Sequence, residues 1–201
     1  MKLFLFNRLE QVLPVLQKLP MPKKSPRVGI IFNARDNRPS EIRHERLMQA
    51  MGALSSLGYQ VEEIDLRNYD KNDAEPLKAR LSGMHALFVG GGSIGDLCEA
   101  MHSSGFDDVI TSLRNTPLAY LGESAGAVVC ARKIGPFIRQ ETGKEEASIA
   151  DKGLGLLAYV PLPHFDEEDY RVKVAEVAAE LQQAGVPFKP IRDNEVIEEN
   201  I

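Results

Sequence analysis

Residues 117–130 read Pro-Leu-Ala-Tyr-Leu-Gly-Glu-Ser-Ala-Gly-Ala-Val-Val-Cys, and this stretch decides the fold. An apolar run passes through Gly-x-Ser-x-Gly into small, apolar residues, which predicts a strand that turns sharply into a helix. Gly122 and Gly126 let the two elements pass closely, and Ser124 is held at the bend beside the amides of the helix N-terminus. The same pattern fits an ordinary strand–helix turn. A nucleophilic role for Ser124 therefore needs a base, a carboxylate and oxyanion donors from the rest of the chain.

The composition is that of an ordinary globular protein. The 201 residues are 43% hydrophobic and 26% charged, which fits a single domain over residues 1–201. A formal net charge of -5 without a Lys/Arg-rich block argues against nucleic acid or an anionic membrane as the main partner. No apolar run approaches the roughly 20 residues that span a bilayer. Cys98 and Cys130 lie in apolar helical contexts, which favours a reducing compartment. We therefore expect a cytoplasmic monomer or homodimer.

Strands and helices alternate along the chain. This pattern predicts one doubly wound α/β domain with a mostly parallel sheet and its functional site at the carboxyl ends of the strands. The predicted strands are Lys2–Phe6, Arg27–Phe32, Tyr59–Leu66, Ala86–Val89, the strand before Ser124, Gly153–Val160 and Phe188–Ile191, with a further strand starting at Glu195–Ile197. The predicted helices are Leu9–Leu19, Glu41–Leu57, Ala74–Leu81, Gly95–Ser103, Phe106–Arg114, the helix after Ser124, and Glu167–Gln183. Pro20–Pro26 is interpreted as a connector and Arg132–Lys152 as a surface excursion.

Three successive glycines, Gly90–Gly92, follow the buried strand that ends at Val89. Glycines allow backbone amides to turn toward an anion, so this loop is a candidate oxyanion hole. A phosphate-binding loop is the competing interpretation. It is weak because the Gly-x-x-x-x-Gly-Lys-Ser/Thr pattern is missing and no basic residue follows closely.

His164 is the candidate general base. It ends the segment Val160-Pro161-Leu162-Pro163, whereas His44, His85 and His102 lie in or beside helices and are interpreted as surface or capping residues. A histidine at a strand end can reach a serine that is held at another strand end.

Asp193 is the candidate carboxylate, because it follows the predicted parallel strand Phe188–Ile191 and should emerge at the same edge as Ser124. Its alternative interpretation is a turn residue, since Asp-Asn is common in turns. Glu195 and Glu141 are the other carboxylates considered. A metal site is not expected, because the sequence has no Cys/His cluster and no His-x-x-x-His spacing.

Four further residues have open assignments. Ser93, Glu123 and Arg171 are candidates for substrate binding. Glu123 could instead face solvent, and Arg171 could instead pair with Glu167 or Glu168 one turn back. Cys130 fits core packing on the helix after Ser124, and it becomes a rival nucleophile only if Ser124 is inert.

The three motifs together resemble the peptidase E (aspartyl dipeptidase) and cyanophycinase family of serine peptidases. They are Val89-Gly90-Gly91-Gly92, then Gly122-Glu123-Ser124-Ala125-Gly126-Ala127, and then Pro163-His164-Phe165-Asp166. The resemblance implies a fold like that of the class I glutamine amidotransferases, a three-layer αβα sandwich, and no cofactor. It implies that Ser124 is the nucleophile, His164 the base and the amides of Gly92 and Ala125 the oxyanion hole. Asp193 falls where the family's carboxylate, often Glu, follows the last parallel strand.

One motif departs from the family pattern. Relatives usually read Gly-Gly-Asn-Thr-Phe after the strand, and here the sequence is Gly92-Ser93-Ile94-Gly95.

The expected function is hydrolysis of short peptides through an acyl-enzyme on Ser124. The altered loop keeps one alternative open, a catalytically silent relative that binds a small ligand in the same crevice.

Overall fold

The computed structural model describes residues 1–18, 26–143 and 152–201. Within these ranges a six-stranded sheet has the order β3-β2-β4-β5-β1-β8. Its strands are β1 Lys2–Phe6, β2 Arg27–Ile31, β3 Gln60–Glu63, β4 Ala86–Val89, β5 Ala119–Glu123 and β8 Val196–Asn200. The helices are α1 Leu9–Leu16, α2 Ser40–Ser55, α3 Glu75–Ser82, α4 Ile94–Ser104, α5 Phe106–Ser112, α6 Ala125–Val128, α7 Gly135–Thr142 and α8 Arg171–Gln183. Strands β6 Val160–Leu162 and β7 Phe188–Pro190 form a separate two-stranded parallel sheet.

The central sheet is mostly parallel. Strands β3, β2, β4, β5 and β1 run in one direction, and β8 alone pairs antiparallel, with β1. Every residue of β4 is buried, as are four of the five residues of β2 and of β5, because helices cover both faces. The predicted α/β class is confirmed.

Alternation along the strands assigns side chains to two apolar layers. In β1, Phe4 and Phe6 pack on one face with residues of α1 and α2. Leu3 and Leu5 point to the other face, where they pack with residues of α3, α4, α5 and α6. Successive side chains of a strand point to opposite faces of the sheet. If the pairing of β1 with its neighbours shifted by one residue, the two sets of side chains would exchange layers, so this register is strongly specified.

The predicted strand Gly153–Val160 is wrong for most of its length, since only Val160 enters β6. The residues before it form an irregular segment against the end of α6, where Leu154 N donates to Val129 O at 2.7 Å and Leu156 N donates to Cys130 O at 2.9 Å. The predicted strand Phe188–Ile191 exists as β7, but it pairs with β6 and not with the central sheet. Because β6 and β7 are parallel, their carboxyl ends lie side by side outside the central sheet.

Other boundaries differ in smaller ways. The predicted surface excursion contains α7, with Ile138 buried, and its residues 144–151 lie outside the described residues. Most of the Pro20–Pro26 connector also lies outside them. The predicted helix Glu167–Gln183 begins as a 3-10 turn, Glu168–Tyr170, and continues as α8.

In the described part of the chain, no helix combines the length and apolarity that crossing a membrane requires.

The carboxyl ends of the parallel strands gather the loops that carry polar groups. Asn7 and Arg8 follow β1, the 3-10 turn Asn33–Arg35 follows β2, Gly90–Gly92 follow β4 and Ser124 follows β5. In an open α/β sheet this edge is where ligands bind.

Candidate active site

Ser124 occupies a strained turn between β5 and α6. Its φ of 48° and ψ of -106° are costly for a residue with a side chain. Surrounding contacts hold the turn, since Ser124 N donates to Phe6 O at 2.9 Å and Ser124 O accepts from Ala127 N at 2.9 Å. A side chain at Gly126 would overlap the Val89 carbonyl, and one at Gly122 would lie 2.6 Å from Gly126 O. Glycine at both positions is therefore required for the close passage of strand and helix.

His164 lies beside Ser124, with its Nε2 2.8 Å from Ser124 Oγ. The imidazole is buried, the residue has a φ of 59°, and its backbone N donates to Asn7 Oδ1 at 2.9 Å. The ring of Tyr170 stacks on it, with centroids 4.3 Å apart. The structure thus brings together the two residues that the sequence singled out from different strand ends.

The carboxylate on the other side of the imidazole is Glu167. Its Oε1 lies 2.6 Å from His164 Nδ1, and Arg8 pairs with its Oε2. Burial raises the pKa of Glu167, but the hydrogen bonds and charges of His164 and Arg8 outweigh burial and hold that pKa below its ordinary value. An ionised Glu167 accepts from Nδ1–H, which leaves Nε2 free to accept the serine proton.

The assignment of Asp193 to this position is wrong. Asp193 Oδ1 accepts from Asn7 Nδ2 at 3.4 Å, and its backbone N donates to Asp166 Oδ1 at 3.0 Å. Asp193 follows a strand parallel to the one before His164, but the turn in which Glu167 N donates to His164 O brings Glu167 to Nδ1 instead.

The two other carboxylates are also occupied elsewhere. Glu141 accepts from Ile94 N at 3.0 Å and caps the N-terminus of α4. Glu195 accepts from Arg192 N at 3.0 Å within its own turn. Neither of them bonds the imidazole.

The candidate oxyanion donors are the amides of Gly92 and Ala125. Gly92 is exposed with a φ of 151°, and a side chain there would overlap Ala34 O, so the loop accepts only glycine. Within the described residues, neither the Gly92 amide nor the Ala125 amide donates an intramolecular hydrogen bond. Neither amide is therefore occupied by an acceptor in the described part of the chain.

The remaining candidates have structural partners. Glu123 accepts from Leu9 N and from Gly91 N, each at 3.0 Å, so its carboxylate is already engaged by backbone. Ser93 Oγ accepts from Asp96 N at 3.2 Å as the N-cap of α4. Arg171 pairs with Glu168 at 3.3 Å on an exposed surface, one of the two arrangements that the sequence left open.

Cys130 is unsuited to nucleophilic chemistry. Its side chain is fully buried, and its Sγ–H donates to Gly126 O. Burial raises the pKa of the thiol to about 12, so the reactive thiolate is scarcely populated at neutral pH.

Sequence reasoning missed Glu167, Arg8 and Asn7. One signal for Glu167 was present, since it stands three positions after His164 in the acidic run Asp166-Glu167-Glu168-Asp169. Nothing local marked Asn7, which lies 157 positions from His164.

Sequence comparison finds peptidases among the proteins similar to this chain. The model of peptidase family S51 matches residues 6–200. An uncharacterized peptidase of Listeria monocytogenes serovar 1/2a is 25% identical over 146 residues, which cover 72% of this chain and 69% of that protein. An uncharacterized peptidase of Listeria innocua serovar 6a is likewise 25% identical, over 72% of this chain and 68% of that protein.

Solved structures show the same fold. A candidate peptidase E protein from Listeria monocytogenes EGD-e superposes with a TM-score of 0.76 at 23% identity, covering 100% of this chain and 98% of that one. A peptidase from an acI-B1 Actinobacterium superposes with a TM-score of 0.71 at 18% identity, covering 99% and 83%.

Proposed function

This chain belongs to peptidase family S51 and is a serine-type peptidase, and on that premise we propose that it hydrolyses short peptides, dipeptides among them, through an acyl-enzyme on Ser124. The observation that carries the proposal is the 2.8 Å contact between Ser124 Oγ and His164 Nε2 on a strained elbow. A serine hydroxyl becomes nucleophilic when an adjacent base takes its proton, and this contact supplies that base.

The proposed triad is Ser124, His164 and Glu167. Ser124 Oγ attacks the scissile carbonyl carbon while His164 Nε2 takes its proton. Glu167 fixes the tautomer that leaves Nε2 unprotonated, and its charge stabilises the imidazolium that forms. Arg8 keeps Glu167 ionised, because a neighbouring cation favours the charged carboxylate.

The proposed oxyanion donors are the Gly92 and Ala125 amides. As the carbonyl becomes tetrahedral, its oxygen gains negative charge that these two N–H groups stabilise. His164 then gives its proton to the leaving amine, and the carbon–nitrogen bond breaks. A water molecule, deprotonated by His164, hydrolyses the acyl-enzyme and releases the carboxylic acid, which restores Ser124.

Labelling with a fluorophosphonate probe tests this proposal. Such a probe reacts with an activated serine and not with an idle one. We expect stoichiometric labelling of the wild-type protein at Ser124, hydrolysis of members of a dipeptide library, and loss of both in Ser124→Ala. The turnover number should fall by a factor on the order of 10⁶ if hydrolysis relies on this serine.

Ser56→Ala is the matched control, because Ser56 is exposed at the end of α2 and its hydroxyl donates to Ala53 O, away from the site. It should label and turn over like the wild type. Full activity in Ser124→Ala would overturn the mechanism. A folded wild-type protein that neither labels nor hydrolyses any peptide would favour a catalytically silent binding protein instead.

A further inference from the structure

Glu123 connects the carboxyl ends of three neighbouring strands. It is the last residue of β5, its Oε1 accepts from Leu9 N just beyond β1, and its Oε2 accepts from Gly91 N just beyond β4. Strands β4 and β1 flank β5 on either side. One carboxylate therefore links both neighbours of the strand that carries Ser124.

The loop that Glu123 holds needs an external anchor. Gly90 N donates to Ile31 O at 3.0 Å and Ser93 N donates to Ala34 O at 2.7 Å, so both ends of the loop are bonded to the β2 side. Between them Gly91 N has Glu123 as its acceptor, and Gly92 N has none within the described residues. Successive glycines have the greatest backbone freedom, so the peptide orientation at Gly91 depends on the carboxylate.

This orientation matters because the loop is packed tightly against the nucleophile. A side chain built on Gly91 would lie 3.0 Å from Ser124 Cβ and 3.4 Å from Glu123 O. A rotation at Gly91 would carry the following amide, that of Gly92, with it. An oxyanion hole works only when its donors are already aimed at the developing charge.

Electrostatics alone does not explain a carboxylate here. A negative charge beside the Gly91 amide opposes a second negative charge on the nearby oxyanion, although the positive charge of Arg35, which interacts with Glu123, acts against that repulsion. A neutral side chain would disturb the oxyanion less. The benefit of Glu123 is therefore geometric, since a carboxylate can accept from two amides at once.

We propose that Glu123 is a positioning residue that fixes the Gly91–Gly92 segment so that the Gly92 amide faces the oxyanion. This inference rests on the proposed function and adds a residue to it. Glu123 contacts no reacting atom and acts through the loop.

Glu123→Gln tests this inference. The amide oxygen of glutamine can accept from one backbone N–H, but its NH2 then faces the other donor and one tether is lost. We expect the turnover number, per active site titrated with the fluorophosphonate, to fall about 10- to 100-fold, less than for outright removal of an oxyanion donor. The Michaelis constant should stay within about twofold, because substrate binding precedes formation of the oxyanion. Affinity for a peptide boronic acid, which mimics the tetrahedral state, should fall by a similar factor to the turnover number.

Two variants control for charge and folding. Glu10→Gln removes an exposed carboxylate from the first turn of α1 and should leave all these values unchanged. Glu123→Asp keeps the charge but is shorter and cannot span both amides, so it too should lower turnover. It also tests the inference if the glutamine variant fails to fold.

The outcomes separate this inference from the proposed function. Wild-type hydrolysis that Ser124→Ala abolishes, together with full turnover and full boronate affinity in Glu123→Gln, would overturn the role of Glu123 alone. Full turnover in Glu123→Asp would also overturn it, because charge rather than the double contact would then suffice. A wild-type protein without peptidase activity would overturn both.

Discussion

At the scale of single residues, the pairing of His164 with Glu167 follows from a local turn. His164 has a φ of 59°, and Glu167 N donates to His164 O at 3.2 Å, which closes a tight turn. The turn folds the side chain of Glu167 back to Nδ1 of the imidazole. A carboxylate delivered in this way needs no contribution from the end of another strand, so base and carboxylate come from one short segment.

Glu167→Gln should lower the turnover number by up to about 10⁴-fold, because an amide at this position can favour the wrong histidine tautomer. The Michaelis constant should change far less. Steady-state kinetics on a dipeptide substrate measures both values. Asp193→Asn is the matched control, and we expect it to retain most of the activity because Asp193 bonds Asn7 rather than the imidazole. The opposite ranking of the two variants would return the role to Asp193.

At the scale of elements, the loops that follow the parallel strands are held in place by polar side chains that lie just after the strands end. Asp65 is an example, since it caps the 3-10 turn Leu66–Asn68 and accepts from Arg67 and from Asn33. Asn33 in turn lies in the loop after β2, so the contact ties the ends of β2 and β3 together. The glycine loop after β4 packs against the same segment through Ala34.

Asp65→Asn should reduce stability in a pH-dependent manner. Burial raises the pKa of Asp65. Hydrogen bonds from Arg67 and Asn33 and the charge of Arg67 outweigh burial and lower that pKa to about 2. Because the folded pKa lies below the unfolded pKa of about 3.9, the stabilisation is present above that value and is lost as pH falls toward 2. At pH 7 the variant should lose roughly 1–2 kcal/mol in free energy of unfolding. Urea unfolding at pH 7 and near pH 2.5 measures the difference, and an equal loss at both values would contradict the prediction.

Gly92→Val should lower the turnover number, and not only the stability of the protein. A valine side chain would overlap Ala34 O at a φ of 151°, so the loop must move and the Gly92 amide moves with it. We expect a loss of roughly 10²–10³-fold in turnover, as for removal of one oxyanion donor.

A helical glycine provides the control for Gly92→Val. Gly52 lies in α2, and a Cβ added there would meet open space, so Gly52→Ala should keep full activity and gain about 0.5–1 kcal/mol of stability. Full activity in Gly92→Val would mean that the Gly92 amide points away from the oxyanion.

At the scale of the whole molecule, the site is built at the junction of two sheets. Ser124 and the glycine loop belong to the central sheet, whereas His164 and Glu167 follow β6 of the small sheet. Asn7 joins the two, since its Oδ1 accepts from His164 N at 2.9 Å and its Nδ2 donates to Ile191 O at 3.4 Å. Asn7 therefore helps to set the distance between Ser124 Oγ and His164 Nε2, together with the pairing of Arg8 with Glu167.

Asn7→Ala should impair both stability and catalysis. It leaves the buried His164 amide without its acceptor, which costs about 1–3 kcal/mol. With the small sheet less firmly held, turnover should fall about 10- to 100-fold, since small displacements of catalytic groups are costly. Thermal unfolding and kinetics on the folded protein measure the two effects separately. Unchanged turnover in a destabilised variant would show that Asn7 serves folding alone.

The sequence by itself determined those features whose causes are local. Gly122, Ser124 and Gly126 specify the elbow, because adjacent residues alone fix a strand that turns into a helix. Buried apolar runs such as Ala86–Val89 specified a parallel sheet covered on both faces, and they placed Gly90–Gly92 at its carboxyl edge. The position of His164 at a strand end was also readable, since it directly follows a stiff, proline-rich segment.

Only the tertiary structure decided which carboxylate serves His164. Glu167 and Asp193 both follow strands of the small sheet, and the choice depends on the turn after His164 and on Arg8, which pairs with Glu167 from the end of β1. The pair of Arg8 and Glu167 spans 159 positions, and a short polar segment carries no information about so distant a partner. The contact of Asn7 with His164 spans 157 positions and has no sequence signature for the same reason. Local sequence specified the elbow that carries Ser124, and long-range packing brought His164 and Asn7 to it.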